Sequence, residues 1–405
     1  MGALSHLRVL DLSRVLAGPF AAQILGDLGA EVIKIERPGE GDETRHFGPP
    51  FLKTVDGGKG DAVYFLSANR NKKSVTIDFS KPEGAALVKR LARRAHVVVE
   101  NFKTGTLARY GLDYESLAAD NPALIYCSLT GFGHDGPYKD KAGYDYLIQG
   151  MAGLMSVTGQ PDGAPGAEPM KVGVAVSDVL TGLYATIAIL AALIHQARTG
   201  EGQAIDMALF DCQAAALVNQ AMNYLAGGVV PGRLGNAHPN IVPYQVFATA
   251  DGHLILAVAN DGQFRRFCAA AGLGELPVDP RFATNGGRVD HREMLIALLK
   301  PVFAGRSTAE WIGRLEAANV PCGPINRIDQ VFADPQAVAH GLKISLAHAA
   351  AGSVDLAASP LRLAKTPPEY RSAPPLLGEH TEEILQEILG ISAEDLARLR
   401  DCGVL

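Results

Sequence analysis

The sequence predicts an α/β protein with a parallel sheet, joined by a smaller α+β region. In the first 130 residues, short apolar runs typical of strands alternate with amphipathic runs typical of helices, which is the rhythm of strands linked by crossover helices. After about residue 230 the pattern changes to a hairpin signal followed by helices. A chain of 405 residues has enough apolar material for two domains.

The elements of the larger region follow from the periodicity of the apolar residues. Helix 82–94 begins with Pro82 and Glu83, which suit a first turn, and places Leu87, Val88 and Leu91 on one face. The predicted strands are 7–12, 31–36, 96–100, 124–129 and 203–209, and the predicted helices are 18–28, 82–94 and 211–225. Because no G-x-G-x-x-G follows the first strand, the sequence does not predict a conventional dinucleotide site.

The smaller region is predicted at 230–325, leaving 1–229 and 326–405 to the larger domain. Strands at 244–248 and 253–258 flank Asp251-Gly252, a pair typical of a hairpin turn. Helices are expected at 263–271, 288–303 and 307–318, and Ser307 with Glu310 predicts a capping box at the last of them. Two closing helices, 381–389 and 393–399, complete the larger domain.

Composition narrows the class of protein. The formal net charge of −6 argues against nucleic-acid binding through phosphate neutralisation. The five cysteines are scattered without C-x-x-C spacing, which is typical of reduced thiols, and the first residues lack a secretory pattern. We therefore expect a cytoplasmic protein. Neither an H-E-x-x-H zinc motif nor a serine-hydrolase G-x-S-x-G motif occurs, so no metal is expected.

Residues 172–194, VGVAVSDVLTGLYATIAILAALI, place one carboxylate, Asp178, inside an apolar and small-residue run. A buried unpaired charge is costly, so three interpretations compete: a membrane span, a structural acid at a helix start, or a catalytic carboxylate. A span needs about 20 apolar residues, and the uncharged part of the run is shorter. We therefore expect no membrane span. A helix start favours an ionised acid and leaves the structural and catalytic interpretations open.

Several motifs, in order along nearly the whole chain, resemble the class III coenzyme A transferases, which include formyl-CoA transferase. They are RVLAGPFAAQILGDLGAEVIKIERPGEGDETR, YFLSANRNKKSVTIDF, VVENFKTGTLARYGL, SLTGFGHDGPY, GYD, SDVLTGLYA and TGEGQAIDMAL. The resemblance implies a Rossmann-like large domain, a small inserted domain and an interlocked homodimer. It also implies that Asp178 attacks an acyl-CoA thioester, forming first a mixed anhydride and later an aspartyl-CoA thioester.

The resemblance also implies which residues bind coenzyme A, which is part of both a substrate and a product of the reaction. Arg37 and Arg109 match basic positions that face the phosphates, and Asn101 and Phe102 match a motif beside the nucleotide. The full set implied for the coenzyme is Val15, Leu16, Ala17, Arg37, Ile77, Asp78, Phe79, Ser80, Asn101, Phe102, Lys103, Arg109, Lys141 and Tyr144.

Tyr144 separates the subclasses. The related α-methylacyl-CoA racemases carry histidine at the matching position, where a proton moves at the α carbon, and tyrosine titrates too high for that task. A transferase is therefore preferred, with a racemase or a formyl-CoA:oxalate-type transferase as alternatives. The motifs are most similar to the succinyl-CoA:dicarboxylate (glutarate) branch.

A dicarboxylate acceptor would need a cation or strong donor for its distal carboxylate. The candidates, chosen from loops that the resemblance places near the site, are Arg14, Arg45, His46 and His238. The glycine-rich run 227–240 is a candidate lid, because such loops often carry moving parts.

Overall fold

The computed structural model describes residues 2–405. Its strands alternate with helices through the first half of the chain, as the apolar pattern predicts. The strands are β1 (Arg8–Asp11), β2 (Glu31–Glu36), β3 (Phe51–Lys53), β4 (Lys59–Ala62), β5 (Lys72–Thr76), β6 (Val97–Glu100), β7 (Ile125–Thr130), β8 (Gln203–Ala208), β9 (Tyr244–Ala248), β10 (His253–Ala257), β11 (Cys322–Pro324), β12 (Lys343–His348) and β13 (Gly352–Ala357).

The helices range from single turns to one long helix that follows the large sheet. They are α1 (Ala17–Asp27), α2 (Val63–Leu66), α3 (Pro82–Ala92), α4 (Tyr114–Ala118), α5 (Asp145–Met151), α6 (Val176–Thr199), α7 (Leu209–Ala215), α8 (Val218–Leu225), α9 (Asp261–Ala271), α10 (Asn285–Asp290), α11 (Arg292–Ala304), α12 (Thr308–Ala317), α13 (Ile328–Ala333), α14 (Pro335–Ala339), α15 (Thr381–Leu389) and α16 (Ala393–Asp401). Short 3₁₀ turns lie at Glu43–His46, Leu107–Tyr110, Leu154–Ser156 and Leu276–Val278.

Six strands form one parallel sheet in the order β5-β2-β1-β6-β7-β8. From β1 the chain moves outward through β2 to β5, then crosses back to β6 on the other side of β1. The strand order therefore reverses between β1 and β6. In open parallel sheets ligands bind beyond the carboxyl ends of the strands at such a switch point. Here those ends are Asp11 and Glu100, so the loops that follow them define the expected site.

Both faces of this sheet are covered, which explains its nearly continuous apolar strands. Side chains alternate along each strand: Val9 enters the core beneath α1 and α6, while Leu10 enters the core beneath α3, α15 and α16. Small residues such as Ala21, Ala22 and Ala185 let the first pair of helices lie close to the strands. The sheet edge that carries the switch point is thus built on a rigid three-layer support.

The structure confirms most of the predicted elements of the larger region. The predicted strand 31–36 has the observed bounds, and the other predicted strands differ at their ends by one or two residues. Predicted helix 211–225 is wrong as a single element, because the chain turns between α7 and α8 at Leu217 and Val218 has a positive φ of 42°. Strand β5 and the hairpins β3–β4 and β12–β13 are missing from the prediction.

Contacts divide the chain into two compact units. One contains the described residues through Leu154, together with Lys171–Gly228 and Gln336–Leu405; the other contains Met155–Met170 and Val229–Pro335. The second unit therefore includes a segment outside the predicted limits 230–325, and those limits stay a prediction.

The second unit packs its helices on a three-stranded antiparallel sheet, β11-β10-β9. The hairpin pairs His253 with Ala248 across the turn that contains Asp251-Gly252, as predicted. Its core is aromatic: Phe247 stacks on Phe303 with ring centroids 4.4 Å apart, and Trp311 is fully buried. The predicted helix 288–303 is interrupted at His291, between α10 and α11.

Ser307 forms the predicted capping box with Glu310 at the start of α12.

Helix α6 begins within the apolar run 172–194 and continues past its end to Thr199. It is the one helix in the described part of the chain that is long and apolar enough to cross a membrane, with a mean hydropathy of 1.8. A core helix of a globular protein meets the same criterion. One face, including Thr181, Gly182 and Ala185, is buried against α1 and the sheet, whereas Ile187 on another face is exposed.

Candidate active site

The loops after β1 and β6 are tied together at the switch point. The side chain of Asn101 bonds both main-chain groups of Arg14: the Arg14 N–H donates to Asn101 Oδ1 at 2.8 Å, and Asn101 Nδ2 donates to the Arg14 carbonyl at 2.6 Å. Residues 13–17 and 101–104 therefore form one ordered rim above the carboxyl ends of the two central strands.

Asp178 lies in the first turn of α6 beside this rim. The residue before the helix, Ala175, has no side chain that can cap it. Asp145, at the start of α5, takes that role: its Oδ1 accepts hydrogen bonds from the N–H groups of Ser177 at 2.8 Å and Asp178 at 3.4 Å. The sequence analysis missed Asp145, although the free N–H groups at the start of a helix with no preceding polar cap require an acceptor from elsewhere.

The Asp178 carboxylate is placed where ionisation is costly. Burial, and secondly the negative charge of Asp145, raise the pKa of Asp178 to about 7. The helix start was expected to favour an ionised acid, whereas burial and the charge of Asp145 favour the protonated form here. The two forms of Asp178 are comparably populated at neutral pH, and a carboxylate is a nucleophile only in its ionised form.

A cavity of about 180 Å³ opens over Asp178. Its lining combines three lysines and one arginine with three acids, Asp178, Asp145 and Glu43, so it places a buried acid near cations that attract an anion. Its lining includes the predicted residues Arg14, Val15, Leu16, Ala17, Asn101, Phe102, Lys103, Lys141 and Tyr144, and also Lys139, which the sequence analysis did not single out. Tyr144 is 70% exposed, and Lys141 lies over the ring of Tyr138.

A larger cleft of about 570 Å³ continues from this cavity, since both share Arg14, Glu43 and Phe102. Such a volume suits a ligand the size of a nucleotide. Of the predicted residues it is lined by Arg14, Arg37, His46, Ile77, Asp78, Phe79, Ser80 and Phe102. Phe102 packs edge-on against Phe79, and the Arg14 guanidinium lies 4.6 Å above the Phe102 ring.

Residues 77–80 form a loop after β5, and this loop is supported from a distant part of the chain. The Asp78 N–H donates to the Val404 carbonyl at 2.8 Å, and Lys81 Nζ donates to the Cys402 carbonyl at 2.5 Å. Fixed main-chain groups at the floor of the cleft can position a ring without the motion of side chains.

The basic side chains that line the cleft differ in the partners that they already bind. Arg37 is exposed and pairs only with Glu40, its neighbour in sequence, at 3.0 Å, so solvent weakens that pair. Arg14 pairs with Glu43 at 2.6 Å, and His46 Nε2 lies 3.0 Å from the Glu40 carbonyl. These side chains face the cleft and can exchange their partners for a phosphate or a carboxylate.

Three predicted residues lie outside the two connected cavities. Arg109 lines a neighbouring cavity that borders the cleft at Ser80. Arg45 is buried and bonds both oxygens of Glu36, at 2.7 and 2.8 Å, and Asp61 at 2.6 Å, so its role is internal and it is a poor candidate for a substrate cation. His238 belongs to the second compact unit, where its ring packs on Tyr244.

Among the described residues no group of three or more histidine, cysteine, aspartate or glutamate side chains is placed to hold a metal ion.

Comparison with known proteins places this site in context. The profile of CoA-transferase family III matches residues 4–381. The chain is 53% identical to a succinate–glutarate CoA-transferase of Agrobacterium fabrum over 95% of each chain, and 44% identical to a mouse succinyl-CoA:glutarate CoA-transferase over all of this chain and 91% of that one. An acetyl-CoA:oxalate CoA-transferase of Acetobacter aceti is 35% identical over 97% of each.

Solved structures agree. A CAIB/BAIF family protein from Brucella suis is 52% identical, with a TM-score of 0.84 over 96% of this chain and 99% of that one. A Mycobacterium tuberculosis protein, Rv3272, is 31% identical, with a TM-score of 0.82 over 95% and 99%. An ionisable acid at a helix start, a cation-rimmed cavity and a nucleotide-sized cleft at the switch point agree with a match along nearly the whole sequence, and the chain belongs to CoA-transferase family III.

Proposed function

We propose that this enzyme transfers coenzyme A from succinyl-CoA to glutarate. The observation that carries the substrate assignment is 53% identity, along 95% of both chains, with a relative named for that pair of acids. The geometry supports the reaction class, because the cavity that contains Asp178 connects with a cleft large enough for a nucleotide.

Asp178 is the proposed nucleophile. Its carboxylate attacks the thioester carbonyl of succinyl-CoA, the C–S bond breaks, and the CoA thiolate leaves behind an aspartyl–succinyl anhydride. The thiolate then attacks the aspartyl carbonyl, the anhydride C–O bond breaks, and succinate departs from an aspartyl-CoA thioester. Glutarate attacks that thioester, releasing thiolate again, and the thiolate attacks the glutaryl carbonyl. Glutaryl-CoA forms and Asp178 is restored as a carboxylate.

We propose that some of the cations near Asp178 bind the phosphates of coenzyme A and that another binds the carboxylate of the acid. We propose that Arg37, Lys103 and Lys141 bind the phosphates, together with Arg109 from the neighbouring cavity. Asn101, Phe102 and residues 77–80 hold the nucleotide, and residues 15–17 and Tyr144 lie closer to the thioester. Arg14 lines both cavities, so among the four predicted candidates it is best placed for the distal carboxylate of the acid. A guanidinium gives that carboxylate a bidentate partner.

We also propose an oligomeric state, a domain arrangement and a cellular location for the enzyme. An interlocked homodimer would cover apolar side chains exposed on α6 and α8, such as Ile187 and Leu225, which are 61% and 73% exposed. The region 230–325 is the proposed inserted domain, with 227–240 as its lid. We expect the enzyme in the cytoplasm, with no nucleic-acid or membrane partner.

An acceptor screen tests the function. Succinyl-CoA is incubated with glutarate, malate, itaconate, oxalate or carnitine, and new acyl-CoA products are measured by mass spectrometry. We expect glutaryl-CoA to dominate and to disappear in Asp178→Ala, while Asp135→Ala, an exposed acid outside both cavities, retains activity. Transfer to oxalate alone would reject the glutarate assignment and favour the oxalate-type alternative. Deuterium uptake at the α carbon of a branched acyl-CoA, without transfer, would favour the racemase alternative.

A further inference from the structure

Val15 has a backbone conformation that its side chain disfavours. Its φ is +69°, in the left-handed region, where a β-branched residue clashes with its own backbone. The residue lies in the rim over Asp178 and lines the same cavity. A strained residue persists only where its surroundings hold it, and such residues concentrate at functional sites.

Asp42 supplies the contact that holds Val15. Its Oδ1 accepts the Val15 N–H at 3.2 Å, and also accepts the N–H and hydroxyl of Thr44 at 3.0 and 2.7 Å. Its Oδ2 pairs with Lys34 Nζ at 2.9 Å, and the same ammonium group donates to the Ser13 carbonyl at 2.8 Å. The Lys34 and Asp42 side chains are almost completely buried, so the pair fixes both ends of the turn that contains Val15.

The turn leads directly to helix α1, which packs against α6, the helix that carries Asp178. Helix α1 begins at Ala17, two residues after Val15, and its first carbonyl approaches α6 at Gly182, one turn after Asp178. A Cβ at Gly182 would lie 2.8 Å from the Ala17 carbonyl oxygen, so the two main chains are in contact. A change in φ at Val15 would therefore move residues 16 and 17 relative to Asp178.

We infer that Asp42, supported by Lys34, is a positioning residue that holds Val15 in the left-handed conformation and thereby sets the rim at residues 15–17 against Asp178. Without the Asp42 acceptor, Val15 relaxes to a negative φ and the rim leaves its catalytic position. The link to turnover rests on the proposed function, whereas the backbone effect does not.

A double-mutant cycle tests the inference, because glycine accepts a positive φ without the clash of a side chain. The cycle measures kcat and KM for succinyl-CoA in the wild type, Asp42→Ala, Val15→Gly and the double variant. We expect Asp42→Ala to lower kcat at least about tenfold, with a smaller change in KM. In the Val15→Gly background we expect the same change to cost at least about fivefold less, because relief of a left-handed residue changes the equilibrium by roughly five- to thirtyfold.

Hydrogen exchange of the peptide that spans residues 13–17 gives a readout independent of turnover. We expect faster exchange in Asp42→Ala, while Asp42→Asn, which keeps an oxygen acceptor, stays close to the wild type. Asp56→Ala is the matched control, because Asp56 makes the same kind of turn contact, to Gly58 N–H at 3.1 Å, in the β3–β4 hairpin. It should change neither the exchange of residues 13–17 nor kcat.

Equal costs of Asp42→Ala in both backgrounds, or unchanged exchange at residues 13–17, would overturn the inference. If Asp42→Ala does not fold, Asp42→Ser replaces it in the cycle, since the shorter serine side chain can still cap Thr44 but does not also reach the Val15 N–H. If the wild type transfers no CoA, the proposed function fails, and the exchange measurements still decide whether Asp42 holds the rim.

Discussion

The change Asp145→Asn should move the acid limb of the pH–rate profile to lower pH. Burial and the charge of Asp145 raise the pKa of Asp178 to about 7, so only about one-tenth of this acid is ionised at pH 6. In the wild type, kcat/KM for succinyl-CoA should therefore fall about tenfold per pH unit below pH 7. Asparagine keeps an oxygen for the N–H groups of Ser177 and Asp178 but removes the neighbouring charge.

Removing the negative charge of one neighbouring carboxylate lowers the pKa of a carboxyl group by about one unit. We therefore expect the midpoint of the acid limb to move from about pH 7 towards pH 6 in Asp145→Asn, with burial accounting for the remaining elevation. Initial rates at saturating glutarate between about pH 5 and 9 measure it. Asp140→Asn, an exposed acid in the preceding loop, is the matched control and should leave the limb in place. An unmoved limb in Asp145→Asn would refute the electrostatic argument.

Three further predictions concern stability. Since the folded-state pKa of Asp178 lies above its ordinary value of 3.8, the native state binds the extra proton between about pH 4 and 7, and its stability falls as pH rises through that window. Asp178→Asn should accordingly raise Tm more at pH 8 than at pH 5, by about 1–3 °C in calorimetry, and an equal gain at both would contradict this. Gly182→Ala, whose Cβ would meet the Ala17 carbonyl, should cost about 1–3 kcal/mol and lower kcat, whereas Gly313→Ala in α12, with nothing within 4 Å, should stabilise the protein. Truncation of the fully buried Trp311 to alanine should cost about 3–5 kcal/mol in urea unfolding of the second unit, and a loss below about 1 kcal/mol would show that its core adapts.

The sequence predicted those strands and helices whose pattern of apolar residues directly indicates which side chains are buried. Strand 31–36 was predicted with its observed bounds because its apolar residues run almost without interruption. Strand β5 was missed because its first residue, Lys72, is a buried lysine, held by Asp11 at 2.8 Å and Asn69 at 2.9 Å. Such a charge reads as exposed in a sequence, and only the tertiary fold reveals the acid that pairs with it.

The sequence likewise predicted some residues of the candidate site and missed others. Asp178 stood out from the sequence because one acid in a long apolar run needs an explanation. Asp145, Asp42 and Lys139 did not, because their importance depends on contacts with residues more than 25 positions away or on a shared cavity. Arg45 was chosen as a substrate cation from its loop position, and no local pattern indicates that Glu36 and Asp61 already bind it.

The floor of the large cleft is supported by a part of the chain that is synthesised last. The loop at residues 77–80 is held by carbonyl groups of residues 402–404, which a ribosome adds more than 300 positions later. A nascent chain that has completed the rim around Asp178 therefore still lacks the support for residues 77–80, the loop that we propose holds the nucleotide. Contacts between such distant segments also form slowly, since long loops must close first. The capacity to bind the coenzyme should accordingly appear late in synthesis, after the sheet itself has formed.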